Sequence, residues 1–298
     1  MRILVVASYN AGRFAPFVLE QAEALQRAGC VVEFFGIQGK GPLGYLRNLS
    51  PLKAAVRSFR PDLIHAHYGL SGLLATLQHI VPVVVTYHGS DLNDSRVLPF
   101  SRLAMRRADR NIVVFRPTAH LPADFIVIPC GINPPTGREK LPENVFQQGR
   151  RHVLFAGAFA NPVKDVPLAQ DVVSRLKDVQ LIELRGYTRE QIYGLMLHAD
   201  ALLLTSKSEG SPQVVKESMA CGIPIVSVNV GDVAERLQGL DGCYVSDSRD
   251  PQQLAALLSE ALTFSGKTNG PASIQKQGLT NDSIAARLIA VYQQLLTT

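Results

Sequence analysis

The chain has 298 residues, of which 46% are hydrophobic and 18% are charged, so it is long enough for two ordinary globular domains. It has no apolar run near the roughly 20 residues that a membrane-spanning helix needs, and the short segment Met1–Ala7 predicts a buried strand rather than a signal peptide. The four cysteines lack paired spacing, which favours reduced thiols in a cytosolic protein over a disulfide framework or a metal knot.

Apolar runs of strand length alternate with amphipathic helical patterns along the whole chain. In the first half we predict strands at 2–7, 31–36, 62–67, 83–87, 111–115 and 125–128, helices at 16–29 and 51–59, and a glycine-rich loop at 39–44. In the second half we predict strands at 152–156, 179–184, 199–204, 225–228 and 243–245, helices at 166–176, 189–198, 212–221, 251–264 and 283–296, and a loop at 265–270. This alternation is typical of an α/β protein with parallel sheets, and the Pro- and Gly-rich residues 134–150 are the predicted linker.

One strand–turn–helix unit, residues 199–221, gathers its polar residues at the carboxyl end of its strand. We predict Ser211 as the N-cap of the helix and Pro212 as its first residue, with the end near Cys221 before Gly222. Ligands of open α/β sheets bind at this edge, and a helix N-terminus attracts anions. An anion such as a diphosphate is therefore the expected ligand.

Two glutamates, Glu209 and Glu217, mark this unit. Alone, each is more often a first-turn acid or a solvated helix position. They lie within Ser-Glu-Gly-Ser-Pro-Gln-Val-Val-Lys-Glu-Ser-Met-Ala-Cys-Gly-Ile-Pro-Ile-Val, a string that resembles the donor-site signature of the family 4 (group 1) retaining glycosyltransferases of the GT-B fold. The resemblance covers nearly all of the chain, which looks like a shortened member.

The resemblance implies a fold of two Rossmann-like domains that face each other across a cleft. Residues 1–140 would form the acceptor-side domain and residues 150–282 the domain that binds the nucleotide-sugar. The last helix, 283–298, would pack back onto the first domain.

The resemblance also implies roles for the residues of the unit. Glu217 would hold the ribose hydroxyls and Glu209 the hydroxyls of the donor sugar. The diphosphate would be bound by Lys164, otherwise an exposed loop lysine, and by the turn residues Gly210, Ser211 and Gln213, since Pro212 has no N–H. The family's usual arginine six residues before the lysine is Ala158 here. Either Lys164 acts alone, or Arg185 or Lys207 takes the second charge.

Further residues gain a role only through the resemblance. His88, in a His-Gly-x-Asp-like turn, would face donor sugar or acceptor, although a lone histidine after a strand is usually structural. Gly12 would belong to a flexible loop near the first strand, and Tyr187 would stack on the base. His65 and His67 point to one side of a strand and would line or support the cleft, because a metal site would need a third ligand nearby.

The expected activity is transfer of a sugar from a nucleotide-sugar to a glycan, lipid-linked or other acceptor in cell-envelope polysaccharide or glycoconjugate biosynthesis, without a metal.

Six arginines could hold the protein on anionic lipid at the inner face of the membrane, or form a solvated helix face: Arg96, Arg102, Arg106, Arg107, Arg110 and Arg116. Nucleic acid is disfavoured, because its recognition motifs are missing. The rival functions are a nucleotide-sugar 2-epimerase on the same fold and a non-catalytic sugar-nucleotide-binding subunit.

Overall fold

The computed structural model describes residues 1–116 and 121–297. The chain forms two compact units: unit 1 comprises Met1–Gly131 and Asn281–Thr298, and unit 2 comprises Ile132–Thr280. The division comes before the predicted linker, whose Leu141, Val145 and Phe146 pack against the core of unit 2. Residues 117–120 of the predicted first domain and Thr298 of the predicted last helix lie outside the described residues.

Unit 1 contains a parallel sheet, six-stranded in its described part, with the strand order β2-β1-β3-β4-β5-β6. Its strands are β1 (Arg2–Ser8), β2 (Val31–Ile37), β3 (Leu63–His67), β4 (Val83–Tyr87), β5 (Arg110–Val113) and β6 (Ile126–Val127). The helices between them are α1 (Pro16–Arg27), α2 (Gly41–Leu46), α3 (Leu49–Phe59), α4 (Gly69–Thr76), α5 (Ser90–Asn93) and α6 (Leu98–Arg107). β1, β3 and β4 are apolar over most of their length because both faces of a parallel sheet are covered.

Unit 2, all of whose residues are described, has a five-stranded parallel sheet with the strand order β11-β10-β9-β7-β8. Its strands are β7 (Arg151–Phe155), β8 (Val179–Glu183), β9 (Ala201–Leu204), β10 (Ile225–Val228) and β11 (Cys243–Ser246). Its helices are α7 (Val166–Ser174), α8 (Arg189–His198), α9 (Gln213–Cys221), α10 (Val233–Leu237), α11 (Pro251–Thr263) and α12 (Gly270–Lys276), and a 3-10 turn covers Pro162–Lys164.

The last helix, α13 (Asn281–Leu296), belongs to unit 1. Its apolar face shares one buried cluster with α1: Ile284, Leu288 and Tyr292 pack with Val18 and Leu25. Burying a side chain of this size stabilises a fold by about 1.5–3 kcal/mol, so α13 is an integral part of the core of unit 1.

The two parallel sheets confirm the predicted α/β class, but several local predictions were wrong. α9 begins at Gln213, and Pro212 is its N-cap, because Pro212 keeps an extended ψ of 121°. The predicted loop 265–270 ends in the first residue of α12, and α2 occupies part of the predicted glycine-rich loop. Both helices are only two turns long or shorter, which gives little periodicity to detect.

No helix in the described part of the chain is long and apolar enough to cross a membrane. The arginines of α6 are exposed, and Arg106 and Arg110 line a cavity of about 560 Å³ at the amino ends of β5 and β6. Ligands of parallel sheets bind at the carboxyl ends of the strands, so this cavity lies at the wrong edge for a substrate.

Candidate active site

The loops that follow β7 and β9 meet at the carboxyl edge of the unit 2 sheet. The Thr205 hydroxyl donates to the carbonyls of Lys164, at 2.9 Å, and Asp165, at 3.1 Å. The backbone N–H of Lys207 donates to the carbonyl of Val163 at 2.8 Å. The two loops are close together because β7 and β9 are adjacent strands. The hydrogen bonds between the loops hold the 3-10 turn that carries Lys164.

Lys164 and Glu209 form an ion pair, with Nζ 2.6 Å from Oε1. The two side chains are only 19% and 15% exposed, so water screens the pair less than it screens a surface pair. The lysine methylenes lie across Gly157, where an added Cβ would come within 2.8 Å of the Lys164 Cγ. The absence of a side chain at Gly157 therefore makes room for the path of Lys164 to Glu209.

The turn before α9 is held from behind by the segment that follows β10. The Asp232 N–H donates to the Gly210 carbonyl at 3.0 Å, and an added Cβ on Gly231 would come within 2.1 Å of that carbonyl oxygen. Because a trans peptide points its C=O and N–H in opposite directions, the Ser211 N–H is directed away from Asp232. The Ser211 hydroxyl is 3.2 Å from the Nζ of the buried Lys216, so it is engaged there and does not cap the helix.

Glu217, on α9, is 4% exposed and pairs with Arg189, the first residue of α8. The distance from the Arg189 Nη1 to the Glu217 Oε1 is 2.5 Å. The guanidinium also lies over the Tyr193 ring, with 5.3 Å from Cζ to the centroid. The Tyr193 hydroxyl donates to the Asn133 carbonyl at 2.5 Å, which holds the ring in place.

Both ion pairs line one cavity of about 320 Å³, together with Gln213. The first N–H groups of a helix have no partner within the helix, so the start of α9 adds donors to this space. Carboxylates accept hydrogen bonds from hydroxyls, and cations with helix N–H groups bind phosphate oxygens. The cavity thus has the chemistry that a sugar joined to a nucleoside diphosphate requires.

The other predicted residues of unit 2 lie outside the lining of this cavity. Arg185 is exposed, and Tyr187 is half-buried against the apolar core. Lys207 is 60% exposed and lies 3.8 Å from Asp165. The roles assigned to Arg185, Tyr187 and Lys207 stay predictions.

Unit 1 contains the predicted histidines. His65 and His67 project from the same face of β3, with ring centroids 4.6 Å apart. His67 Nδ1 lies 3.1 Å from the Nε2 of His88, which follows β4, and His65 Nε2 lies 2.7 Å from the Thr86 hydroxyl. Burial lowers the pKa of His67 to about 3 and the pKa of His65 well below its usual value, so both rings are neutral at pH 7.

The turn that carries His88 is organised by Asp91. Its carboxylate accepts the backbone N–H groups of Gly69, at 2.9 Å, His88, at 2.9 Å, and Gly89, at 3.0 Å. Burial raises the pKa of Asp91 to about 6, and these N–H groups oppose the rise. Gly12, after β1, forms a turn back to the Tyr9 carbonyl at 3.0 Å with a φ of +69°, a conformation that favours glycine.

Among the described residues, no group of three or more His, Cys, Asp or Glu side chains is placed to hold a metal ion. Metal independence stays a prediction.

Two family models match consecutive parts of the chain. The model "Glycosyltransferase Family 4" matches residues 14–134, and the model "Glycosyl transferases group 1" matches residues 143–263, which include every charged residue of the unit 2 cavity. The chain belongs to the family 4, group 1 glycosyltransferases.

Two proteins of related sequence carry the same activity in their names. An uncharacterized glycosyltransferase of Methanocaldococcus jannaschii is 24% identical over 87% of this glycosyltransferase and 79% of its own length. TuaC of Bacillus subtilis, provisionally assigned to teichuronic acid biosynthesis as a glycosyltransferase, is 26% identical over 60% of this chain and 56% of its own length.

Solved structures share the fold of this chain. The sucrose-phosphate synthase of Thermosynechococcus elongatus matches with a TM-score of 0.79 and 16% identity, over 100% of this glycosyltransferase and 99% of that chain. Anabaena HepE in complex with UDP matches with a TM-score of 0.72 and 17% identity, over 99% and 100% of the two chains. At these identities the likeness shows the fold alone, and it confirms the GT-B prediction.

Arg189 is the residue of the glycosyltransferase site that sequence reasoning missed. A positive charge at the first position of a helix opposes the helix dipole, whereas acidic residues are favoured there. This unfavourable placement was the signal available in the sequence. Its partner, Glu217, lies 28 positions along the chain, so the pair itself is a product of the tertiary fold.

Proposed function

We propose that this glycosyltransferase is a retaining enzyme that uses a nucleotide-sugar donor and a glycan, lipid-linked or other acceptor in cell-envelope polysaccharide or glycoconjugate biosynthesis. The observation that carries the proposal is the unit 2 cavity, in which Lys164–Glu209 and Arg189–Glu217 combine cations and carboxylates. The UDP bound in HepE supports a nucleotide-sugar donor, and the assignment of TuaC supports an envelope polysaccharide.

In the proposed reaction Lys164 stabilises the leaving group. As the bond from the anomeric carbon to the β-phosphate oxygen breaks, negative charge grows on that phosphate, and a cation aimed at it lowers the barrier. An ammonium group has three N–H donors, so Lys164 can keep its bond to Glu209 and also bind phosphate oxygens. The turn residues Gly210, Ser211 and Gln213 would hold the diphosphate with it.

The remaining contacts follow the family's chemistry. Glu209 would bind hydroxyls of the donor sugar, and Glu217 the ribose hydroxyls. The acceptor oxygen would attack the face from which the phosphate leaves and pass its proton to the departing phosphate, which retains the anomeric configuration without a covalent intermediate. His88 would contact sugar or acceptor, Gly12 would allow close approach near β1, and Arg185 and Tyr187 would lie nearer the base.

The basic surface of α6 supports a cytoplasmic enzyme that docks on the inner face of a membrane. Arg102, Arg106 and Arg107 are exposed on this helix, and Leu103 is exposed beside them. Lysine and arginine near an anionic surface contribute about 1 kcal/mol each. Replacing these three arginines with glutamine should reduce flotation with phosphatidylglycerol vesicles and leave flotation with phosphatidylcholine vesicles unchanged.

A thermal-shift screen against UDP-, GDP- and ADP-sugars tests the donor. A ligand that binds only the folded state raises the melting temperature, by an amount that grows with its concentration. The donor that binds is then incubated with and without acceptors, and the anomeric configuration of the product is read by NMR. Transfer with inversion would refute retention, donor isomerisation without acceptor would indicate the epimerase, and binding without turnover would indicate a non-catalytic subunit.

A further inference from the structure

Arg189 is the least expected charge in the unit 2 cavity. It occupies the first position of α8, whose N-cap Thr188 and N3 residue Gln191 form a reciprocal capping box. The capping box fixes where α8 begins, and therefore where the side chain of Arg189 starts. The helix dipole opposes its charge, so capping does not explain an arginine at this place.

The guanidinium is held from two sides. Its face lies over the ring of Tyr193, one turn later on α8, and its Nη1 donates to the Glu217 Oε1 at 2.5 Å. The Arg189 side chain is 35% exposed while that of Glu217 is only 5% exposed, so the arginine is the more accessible partner of the pair. The carboxylate is thus the more buried of the two charged groups.

A carboxylate has about four acceptor positions on its two oxygens. Arg189 uses one of them, on Oε1, which leaves acceptor capacity on Glu217 for further donors. A ribose diol offers two adjacent O–H donors, and a hydroxyl bound to a charged carboxylate makes one of the stronger hydrogen bonds in a protein. A single cation on one oxygen therefore suits a carboxylate that must present its other oxygen to a diol.

We propose that Arg189 is a positioning residue for the donor nucleotide: it fixes the Glu217 carboxylate so that Glu217 can accept the ribose hydroxyls. This inference rests on the proposed function, because it takes Glu217 as the ribose contact. Arg189 acts through Glu217 and not through the phosphates. Lys164, paired with Glu209, is the cation assigned to the diphosphate.

Calorimetric titration with UDP and with 2′,3′-dideoxy-UDP tests the inference, with the GDP and ADP pairs run in parallel. Loss of hydrogen bonds to a charged group should make the wild type prefer UDP over its dideoxy form by about ten- to a hundredfold. Arg189→Met should abolish this preference by weakening UDP alone. Arg189→Lys should keep part of it, since lysine retains the charge but not the planar fork. Arg175→Met, which removes an exposed arginine paired with Asp171, is the matched control.

A double-mutant cycle of Glu217→Gln and Arg189→Met tests the inference in a second way, which does not depend on the stability of Arg189→Met alone. Glu217→Gln alone should abolish the preference, and adding Arg189→Met should lower UDP affinity no further, because the carboxylate through which Arg189 acts is gone. The Glu217→Gln background also removes the unpaired buried carboxylate that Arg189→Met alone would create. Circular dichroism establishes that each variant is folded.

The inference is overturned if Arg189→Met keeps the wild-type preference, or if it weakens UDP and dideoxy-UDP equally, as loss of a phosphate contact would. A wild type that binds both forms equally refutes the ribose role of Glu217 and the inference with it. A wild type that binds none of the nucleotides refutes the proposed function itself.

Discussion

The two units place opposite chemistry at the carboxyl ends of their parallel strands. In unit 1 the rings there are neutral imidazoles, with His65 and His67 buried and hydrogen-bonded to Thr86 and His88, and the Asp91 carboxylate accepts backbone N–H groups. In unit 2 they are ion pairs that line a cavity, Lys164–Glu209 and Arg189–Glu217. The same type of sheet therefore carries neutral histidine rings at this edge in unit 1, called the neutral edge below, and paired charges in unit 2, called the charged edge.

Burial explains the difference. Removing a histidine from water disfavours its charged form, and unit 1 keeps its rings neutral by this means. A buried carboxylate or lysine is tolerated when an opposite charge lies within hydrogen-bond distance, and unit 2 meets this condition twice. Neutral rings suit the hydroxyls of a sugar or acceptor, and paired charges suit a nucleoside diphosphate.

The largest effect should come from the charged edge. Lys164→Met should lower turnover by about a hundred- to a thousandfold, as removal of one group that stabilises transition-state charge does in other enzymes. Initial rates with the donor found by thermal shift measure this change. Lys177→Met, on the exposed surface of unit 2, is the matched control and should keep wild-type turnover. A Lys164→Met enzyme that is as active as the control would refute the role of Lys164.

The second-largest effect should come from Gly231, which packs behind the turn that precedes α9. Gly231→Ala should lower both stability and turnover, because its Cβ would come within 2.1 Å of the Gly210 carbonyl oxygen at a φ of +57°. We expect an unfolding free energy lower by about 2–3 kcal/mol, since strain and collision add. Urea unfolding and initial rates measure the two effects.

Gly239→Ala is the control that separates the steric collision with Gly210 in Gly231→Ala from the cost of a positive φ. Gly239 has a φ of +73°, but no atom of the described residues lies within 4 Å of an added Cβ. Strain alone should cost about 1 kcal/mol and leave turnover unchanged. Equal losses in the two variants would show that the contact with Gly210 does not hold the turn.

Much of the fold could be predicted from the sequence, because buried parallel strands consist of continuous apolar runs such as Ile3–Ala7. The site was accessible only in part. The resemblance named Lys164, Glu209, Gln213 and Glu217, and the structure brings these four to one cavity. Their catalytic and binding roles stay predictions.

The features that the sequence did not reveal depend on tertiary contacts and on backbone torsion. The sequence indicates only that Arg189 begins a helix, and the fold of unit 2 brings it to Glu217. Tyr187, predicted to stack on the base, packs against the apolar core of unit 2, and its role stays a prediction. The start of α9 was misjudged by one residue because the ψ of Pro212, unlike its φ, is not fixed by its ring.

The neutral edge predicts a pH dependence. His67 has a pKa of about 3 in the folded protein and about 6.5 when unfolded, so between these values only the unfolded state binds its proton. Stability is therefore lost as the pH falls through this window, by about 1.4 kcal/mol per pH unit for this one ring. Asp91 acts in the opposite direction below about pH 6, because its pKa is raised on folding.

His67→Gln isolates the histidine from Asp91, which both proteins contain. The unfolding free energy of the variant should depend less steeply on pH than that of the wild type, by about one proton between about pH 6 and pH 4. Urea titrations at several pH values in this range give both slopes. Parallel slopes would show that the ring of His67 is protonated in the folded state.

The smallest effect should come from an ion pair on the surface of unit 1. Arg27 and Asp282 join α1 to α13 with 2.6 Å between Nη2 and Oδ1, about the length of the Arg189–Glu217 pair. Their side chains are 51% and 73% exposed, so water and salt screen the attraction. A double-mutant cycle with Arg27→Met and Asp282→Asn should give a coupling energy below about 1 kcal/mol that declines in high salt.

The same cycle on Arg189 and Glu217 should give a larger coupling energy that depends little on salt, because Glu217 is withdrawn from water. The two ion pairs have nearly the same N···O distance, so the comparison of their coupling energies measures the effect of burial. Equal coupling energies would mean that distance alone governs these pairs, and the contrast between a screened surface and a charged cavity would lose its physical basis.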